Sequence, residues 1–200
     1  MMTGLTPKTF ERLQLDAGVF LVNFDYSSAK NATDLAELVA AAIESDTGCL
    51  GATRGGGSFE CTPDTRTVEA DGMRYAYVGS TKNDTWTIKL KTTLLEVTPE
   101  NFAKALMCAD VTKNGSVTTV RVRTSIEDSD YIPSLCWVGD TARGLTLINL
   151  ENALNLTGAS FTFADKGEGT LPVEFQAHQA DLENQEYAPF EILFFDEATA

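Results

Sequence analysis

Apolar and polar side chains alternate at every second position along much of this chain, and turn residues interrupt the alternation; that pattern limits it to a sheet protein. In Asp84–Leu95, Trp86, Ile88 and Leu90 alternate with Thr85, Thr87, Lys89 and Lys91, as in a strand with one buried and one wet face. Gly18–Asp25 sets Val19, Leu21 and Asn23 against Phe20, Val22 and Phe24, and reads as a first strand apolar on both sides. Further strands are expected at Ser58–Thr62, through Arg66, Val68 and Ala70, at Met73–Val78, Val117–Thr124 and Tyr131–Val138, around Leu145 and Leu147, and at Ser160–Ala164, Leu171–Ala177 and Phe190–Phe195. Asp71-Gly72, Gly79–Asp84 and Lys113–Ser116 carry turn chemistry, the last as a hairpin tip.

Only two segments read as helices. Ala32–Ser45 offers Thr33 as a cap, Asp34 and Glu37 near its amino end, and a stripe of Leu35, Leu38, Val39, Ala42 and Ile43. The second begins with Thr98 as cap and Pro99 in the first turn; Glu100, Phe102, Ala105 and Leu106 carry it towards Ala109. Helices do not alternate with strands, so the expected fold is mainly β: one domain over residues 1–200, a sandwich or barrel with one or two short helices and extended hairpin arms.

The 200 residues are 43% apolar and 22% charged, a globular composition. Apolar runs fall far short of the roughly 20 residues that span a bilayer, and the opening segment lacks the basic region of a secretory leader. Four cysteines without CxxC spacing read as reduced thiols. The sequons at Asn31, Asn83, Asn114 and Asn155 imply no glycan without export. The formal charge of −14 is uneven: residues 151–200 hold ten acids and one base, Lys166. Such a field disfavours wrapping nucleic acid but not letting it slide past.

Catalytic constellations are sparse, and the chain reads as non-enzymatic with no cofactor. Gly48–Gly57 has five glycines but neither GxxxxGK[ST] nor GxGxxG spacing, so a phosphate loop is rejected. His178 is the single histidine, which leaves at most a weak cation site with Glu174, Asp181 and Glu183. Cys49 lacks a neighbouring base. The acid pairs Glu127 with Asp128 and Asp196 with Glu197 arise readily in so acidic a chain, and Met107 and Cys108 read as packing. Trp86 and Trp137 read as core or interface anchors.

Several ordered stretches carry a resemblance. Ala52–Pro63, ATRGGGSFECTP, resembles the ATxGGGxFxxxP stretch of bacteriophage major tail tube proteins. The similarity runs on through Arg66, Val68, Asp71 and Gly72, then Leu94–Phe102, Asn152–Leu154, Lys166–Gly169, Pro172–His178 and Pro189–Ile192, spanning about residues 15–195. Related tubes occur in contractile bacteriocins and type VI secretion systems.

The resemblance implies a β-sandwich subunit that forms hexameric rings stacked into a hollow tube, a conduit for DNA during ejection, with residues 1–15 as a candidate assembly arm. The implied partners are further copies of the chain, a tail-initiation or baseplate complex, the tape measure protein and DNA passing through the lumen, and a sheath in contractile tails. The implied location is the virion tail, after the host cytoplasm. Arg54, Gly55, Gly56 and Gly57, with Lys82, Asn83 and Asp84, are the candidate stacking residues, and Asn114 and Gly115 mark a second arm; each also fits an ordinary turn. Glu96, Glu174 and Glu191 are the candidate lumen-facing acids. Three alternatives stand beside this reading: the tube of a phage-tail-like bacteriocin, a carbohydrate- or protein-binding sandwich using Trp86, Trp137 or Tyr131, and a two-carboxylate hydrolase.

Overall fold

Alternation becomes strand wherever one face has something to cover. A computed structural model describes residues 16–30, 35–45, 48–141, 144–163, 165–183 and 186–195, with Gly4, Thr6, Thr9 and Leu13 singly. Its strands are β1 (Val19–Val22), β2 (Thr53–Thr67), β3 (Thr81–Leu94), β4 (Ala109–Asn114), β5 (Val117–Val122), β6 (Ile132–Thr141), β7 (Gly144–Asn155), β8 (Leu171–Gln176) and β9 (Phe190–Phe194). The helices are α1 (Tyr26–Ala29), α2 (Leu35–Glu44) and α3 (Pro99–Ala105), with a 3-10 turn at Asp128–Asp130. The fold is mainly β, as the periodicity predicts, and α1 and the 3-10 turn are additions to the two expected helices.

Seven strands form one antiparallel sheet in the order β1-β6-β7-β8-β3-β2, with β9 also on β7. The sheet doubles over. Along its first part β7 pairs with β6 and β9, and at Leu154 and Asn155 it pairs with β8. Phe20, Leu135 and Leu150 from one half meet Ile88, Leu90, Leu171, Val173 and Phe175 from the other in a shared apolar core. The two ends of the strand path return to each other: a Cβ on Gly57 of β2 would lie 2.7 Å from Cζ of Phe20 in β1. The outer face of the β1-β6-β7 half buries Leu21, Cys136, Val138 and Leu147 beneath α1 and α2.

Local chemistry explains the helices. Asp25 caps α1 by accepting from the Ser28 amide at 3.1 Å. Leu35, Val39 and Ala42 of α2 face the core, whereas Leu38 and Ile43 of the expected stripe are exposed. Thr33 and Asp34 lie outside the described residues, as do Ala164, Asp196 and Glu197. α3 begins as the sequence predicts, with Thr98 Oγ1 accepting from the Asn101 amide at 3.1 Å and Pro99 opening the helix. It stops at Ala105, and Met107 adopts φ 71. Asn101 is buried, and its Nδ2 donates to the carbonyls of Leu50 at 3.0 Å and Glu96 at 2.9 Å, fixing α3 to both flanking segments.

Several expectations need correction. Residues 55–57 belong to β2 rather than to a loop before it, with a register shift between the Thr53 and Gly57 pairings that the positive φ of Gly55 and Gly56 accommodates. Lys82, Asn83 and Asp84 lie on β3 rather than in a turn: Lys82 pairs with Arg66 and Asn83 with Thr65. Met73–Val78 forms no strand, and Ser160–Ala164 contributes only a bridge from Thr162 to Thr170. The strand expected around Leu145 and Leu147 continues as β7 to Asn155, whose buried Nδ2 donates to the Ala105 carbonyl; along it the buried Asn149 accepts from the Ser134 hydroxyl through Oδ1, while its Nδ2 has no hydrogen-bond partner among the described residues.

Candidate functional site

Two hairpins stand clear of the core. In β2 and β3 the core-facing alternation ends near Cys61 and Ile88; beyond them both strands are exposed on both faces, out to Thr67 and Thr81. This arm is held by its own ladder and by Arg66 Nε donating to Asp84 Oδ1 at 2.9 Å. Residues 68–80 close it, and the Val68 amide donates to the Ser80 carbonyl at 2.8 Å. The closing loop exposes Tyr75 (78%), Tyr77 (61%) and all of Val78. β4 and β5 form the second hairpin, turning at Gly115 with φ 63, as the motif Lys113–Ser116 predicts. Asn114 pairs with Val117 beside that turn.

The root of the first arm carries the glycine segment. Gly55, Gly56 and Gly57 border a groove of about 440 Å³ floored by Phe20, Phe59, Leu90, Trp137 and Ile148. Arg54 reaches from the opposite side of this segment to Glu168, with Nη2 2.5 Å from the carboxylate, and that hydrogen bond holds the Glu168 carboxyl below the ordinary carboxylate range. Farther out, Trp86 is half exposed and joins Cys61, Glu186, Tyr187, Ala188 and Phe190 around a second groove of about 350 Å³. Phe190 packs on Phe59 with centroids 5.3 Å apart, which ties the groove floor to the core. Trp137 is half-buried and donates Nε1–H to the Ala17 carbonyl at 2.9 Å.

The three candidate acids occupy separate surroundings. Glu174 projects from the outer face of β8 between Lys89 at 2.5 Å and Lys91 at 3.2 Å; the Lys89 hydrogen bond is the main cause that lowers its pKa. Lys91 also pairs with Glu60 at 2.8 Å, so two lysines and two glutamates balance on this face. Glu191 lies on the opposite side of the fold against α1, 2.5 Å from Lys30 and hydrogen-bonded by the Tyr26 hydroxyl; Lys30 first and Tyr26 second lower its pKa. Glu96 sits after β3, where its Oε1 accepts from the Ala52 amide at 2.7 Å. No single face gathers them.

The groups weighed for catalysis stay apart. His178 Nδ1 donates to the Asn152 carbonyl at 3.2 Å and its ring meets Tyr131 edge-on, while the lysines hold Glu174. Cys49 Sγ accepts from the Gly51 amide at 3.2 Å. Burial pushes the Cys136 thiol up to about 11, with a smaller opposing effect from Ser134. Glu127 and Asp130 flank Arg123 together with Asp110, an ion-pair cluster at the base of the second hairpin. Among the described residues no three His, Cys, Asp or Glu side chains are grouped to hold a metal ion. None of the described helices is long and apolar enough to cross a membrane.

Neither a family model nor a curated protein matches this chain. Its surfaces therefore carry the functional argument. Sequence reasoning missed Tyr75, Tyr77 and Val78 because an apolar run of alternating character reads as a buried strand. The bracketing turns, Asp71-Gly72 before and Gly79-Ser80 after, were the signal that this run caps an arm.

Proposed function

We propose that this chain is the structural subunit of a bacteriophage tail tube, in which copies close into hexameric rings and the rings stack into a conduit for DNA. The observation that carries the reading is the β2–β3 arm, wet on both faces yet tipped with apolar side chains. An arm that covers no core within its own chain has its use in contact with another molecule. β2 also pairs only with β3 among the described strands, which leaves a long edge available to a neighbouring sheet. A ring that closes such edges and a stack that engages such arms are heterologous contacts, whose natural product along the axis is a filament.

The remaining partners in this reading are a tail-initiation complex, a tape measure protein, transiting DNA and, in a contractile tail, a sheath. Electron microscopy of negatively stained, concentrated protein, alone and with a candidate initiation complex, tests it. Stacked rings of uniform diameter with a central channel are the expected result. Discrete small particles under both conditions overturn it and favour a binding module. Nuclease-protected DNA inside native particles separates a phage tube from a bacteriocin tube.

A further inference from the structure

The arm tip and the groove at the arm root match each other in chemistry, and they cannot meet within one chain. The tip presents Tyr75, Tyr77 and Val78 directly after the cation Arg74, with the acids Glu69 and Asp71 on the opening side of the same loop; the root groove presents Trp86, Tyr187 and Phe190 over Cys61 with one charged residue, Glu186. Neither Arg74 nor Glu186 is in any of the ion pairs found among the described residues. The ladder from Thr62–Thr87 to Thr67–Thr81 is continuous, apart from one shift at Asp64/Thr65, and it holds the tip away from its own root. Trp86 lies five residues below Thr81, about 17 Å along the strand at ~3.3 Å per residue.

From this complementarity we infer that the tip of one copy docks in the Trp86–Tyr187–Phe190 groove of a second copy, with Arg74 facing Glu186. The inference rests on the tube reading for its setting and names the residues that would join successive subunits. Two tyrosines at these exposures and one valine cover roughly 400 Å² on the tip side, taking about 200 Å² per aromatic side chain. With an equal share from the groove, one contact buries about 800 Å², short of the roughly 1,200 Å² at which stable interfaces begin. A single tip therefore does not hold a dimer, and the contact persists only where it repeats in an assembly.

The test uses the full chain carrying Val78→Cys, with the native Cys61 as acceptor and a short bismaleimide as crosslinker. Mixing isotope-labelled and unlabelled chains identifies crosslinks between copies by mass spectrometry. The expected product joins position 78 to Cys61 of a different copy; linkage only to Cys49 or only between two positions 78 overturns the inference. In parallel, Tyr75→Ser with Tyr77→Ser is expected to raise the concentration needed for assembly about tenfold, equivalent to ~1.4 kcal/mol. Arg74→Glu weakens assembly, and adding Glu186→Arg in the same chain restores it.

Tubes that form at the unmodified concentration in the tyrosine variant, with no crosslink from position 78 to Cys61, refute the docking and leave the tube reading standing. A crosslink between copies of a chain that never forms tubes keeps the docking and removes the tube. Absence of both removes both.

Discussion

Replacing Asn155 tests whether the end of β7 is held by the contacts described. Asn155 is buried; its Nδ2 donates to the carbonyls of Ala105 at 2.7 Å and Gly158 at 3.3 Å. Its Oδ1 accepts from the amide of Thr157 at 3.1 Å and from the Thr157 hydroxyl at 2.8 Å. Ala105 is the last residue of α3, so its carbonyl is one of those a helix leaves unpaired. Asn155→Ala strands that carbonyl in the interior, at a cost of about 1–3 kcal/mol, and loses two bonds to Thr157 worth about 1 kcal/mol or less each because water can reach them. The expected loss is about 3 kcal/mol, read by urea denaturation of the monomer through tryptophan fluorescence.

Asn155→Asp refines the same test. A carboxylate there keeps the acceptor side but faces two carbonyls without a proton to donate, so its folded-state pKa lies above the ordinary aspartate value. The folded state then binds more protons than the unfolded state, and stability falls as pH rises through the interval between the two pKa values. The variant is expected to approach the native chain in acid and to fall away towards neutral pH, relative to the native chain at each pH. An alanine variant within about 1 kcal/mol of the native chain, or an aspartate variant equally unstable at both ends of the range, would refute the reasoning.

Two further outcomes are expected. Gly57→Ala puts a Cβ 2.5 Å from the Lys91 carbonyl and 2.7 Å from Phe20, so denaturation should record a loss of about 1–3 kcal/mol from backbone displacement. Glu174→Gln should cost about 1 kcal/mol or less at neutral pH, as expected of partly wet ion pairs. Since the folded pKa of Glu174 is depressed, the native advantage is present above the unfolded carboxylate pKa and disappears as pH falls through the folded one. Paired acid titrations of native and variant protein check that window.

Alternation made the core half of β3 and β8 readable because burial on one side wrote it into the sequence, whereas β6, buried on both faces, and β9 read as strands from their apolar and aromatic runs. Cap chemistry made α3 readable to its first residue. The same logic explains the failures. Lys82–Asp84 sit in a strand wet on both faces, where nothing selects apolar side chains at every second position, so polar strand looks like turn. Tyr75–Val78 have the reverse disguise, apolar but outside any sheet. Of the candidate site, the hairpin turn at Gly115 and the importance of the 54–57 segment were legible locally. That Glu174 and Glu191 fall on opposite sides depends on long-range strand order, which no local pattern encodes.

A strand with one buried face is told where to pair, since a one-residue slip would turn its apolar side outward; the outer half of the β2–β3 arm has no such instruction. Its alignment is fixed only by the irregularity between Asp64 and Thr65, the Arg66–Asp84 pair and the closing loop. During folding, the core segments Phe59–Cys61 and Ile88–Leu90 can lock first, and the outer arm must then zip outward from them. Mispaired or exchanged arms are therefore the folding error this geometry invites, in the same element that we propose joins one copy to the next.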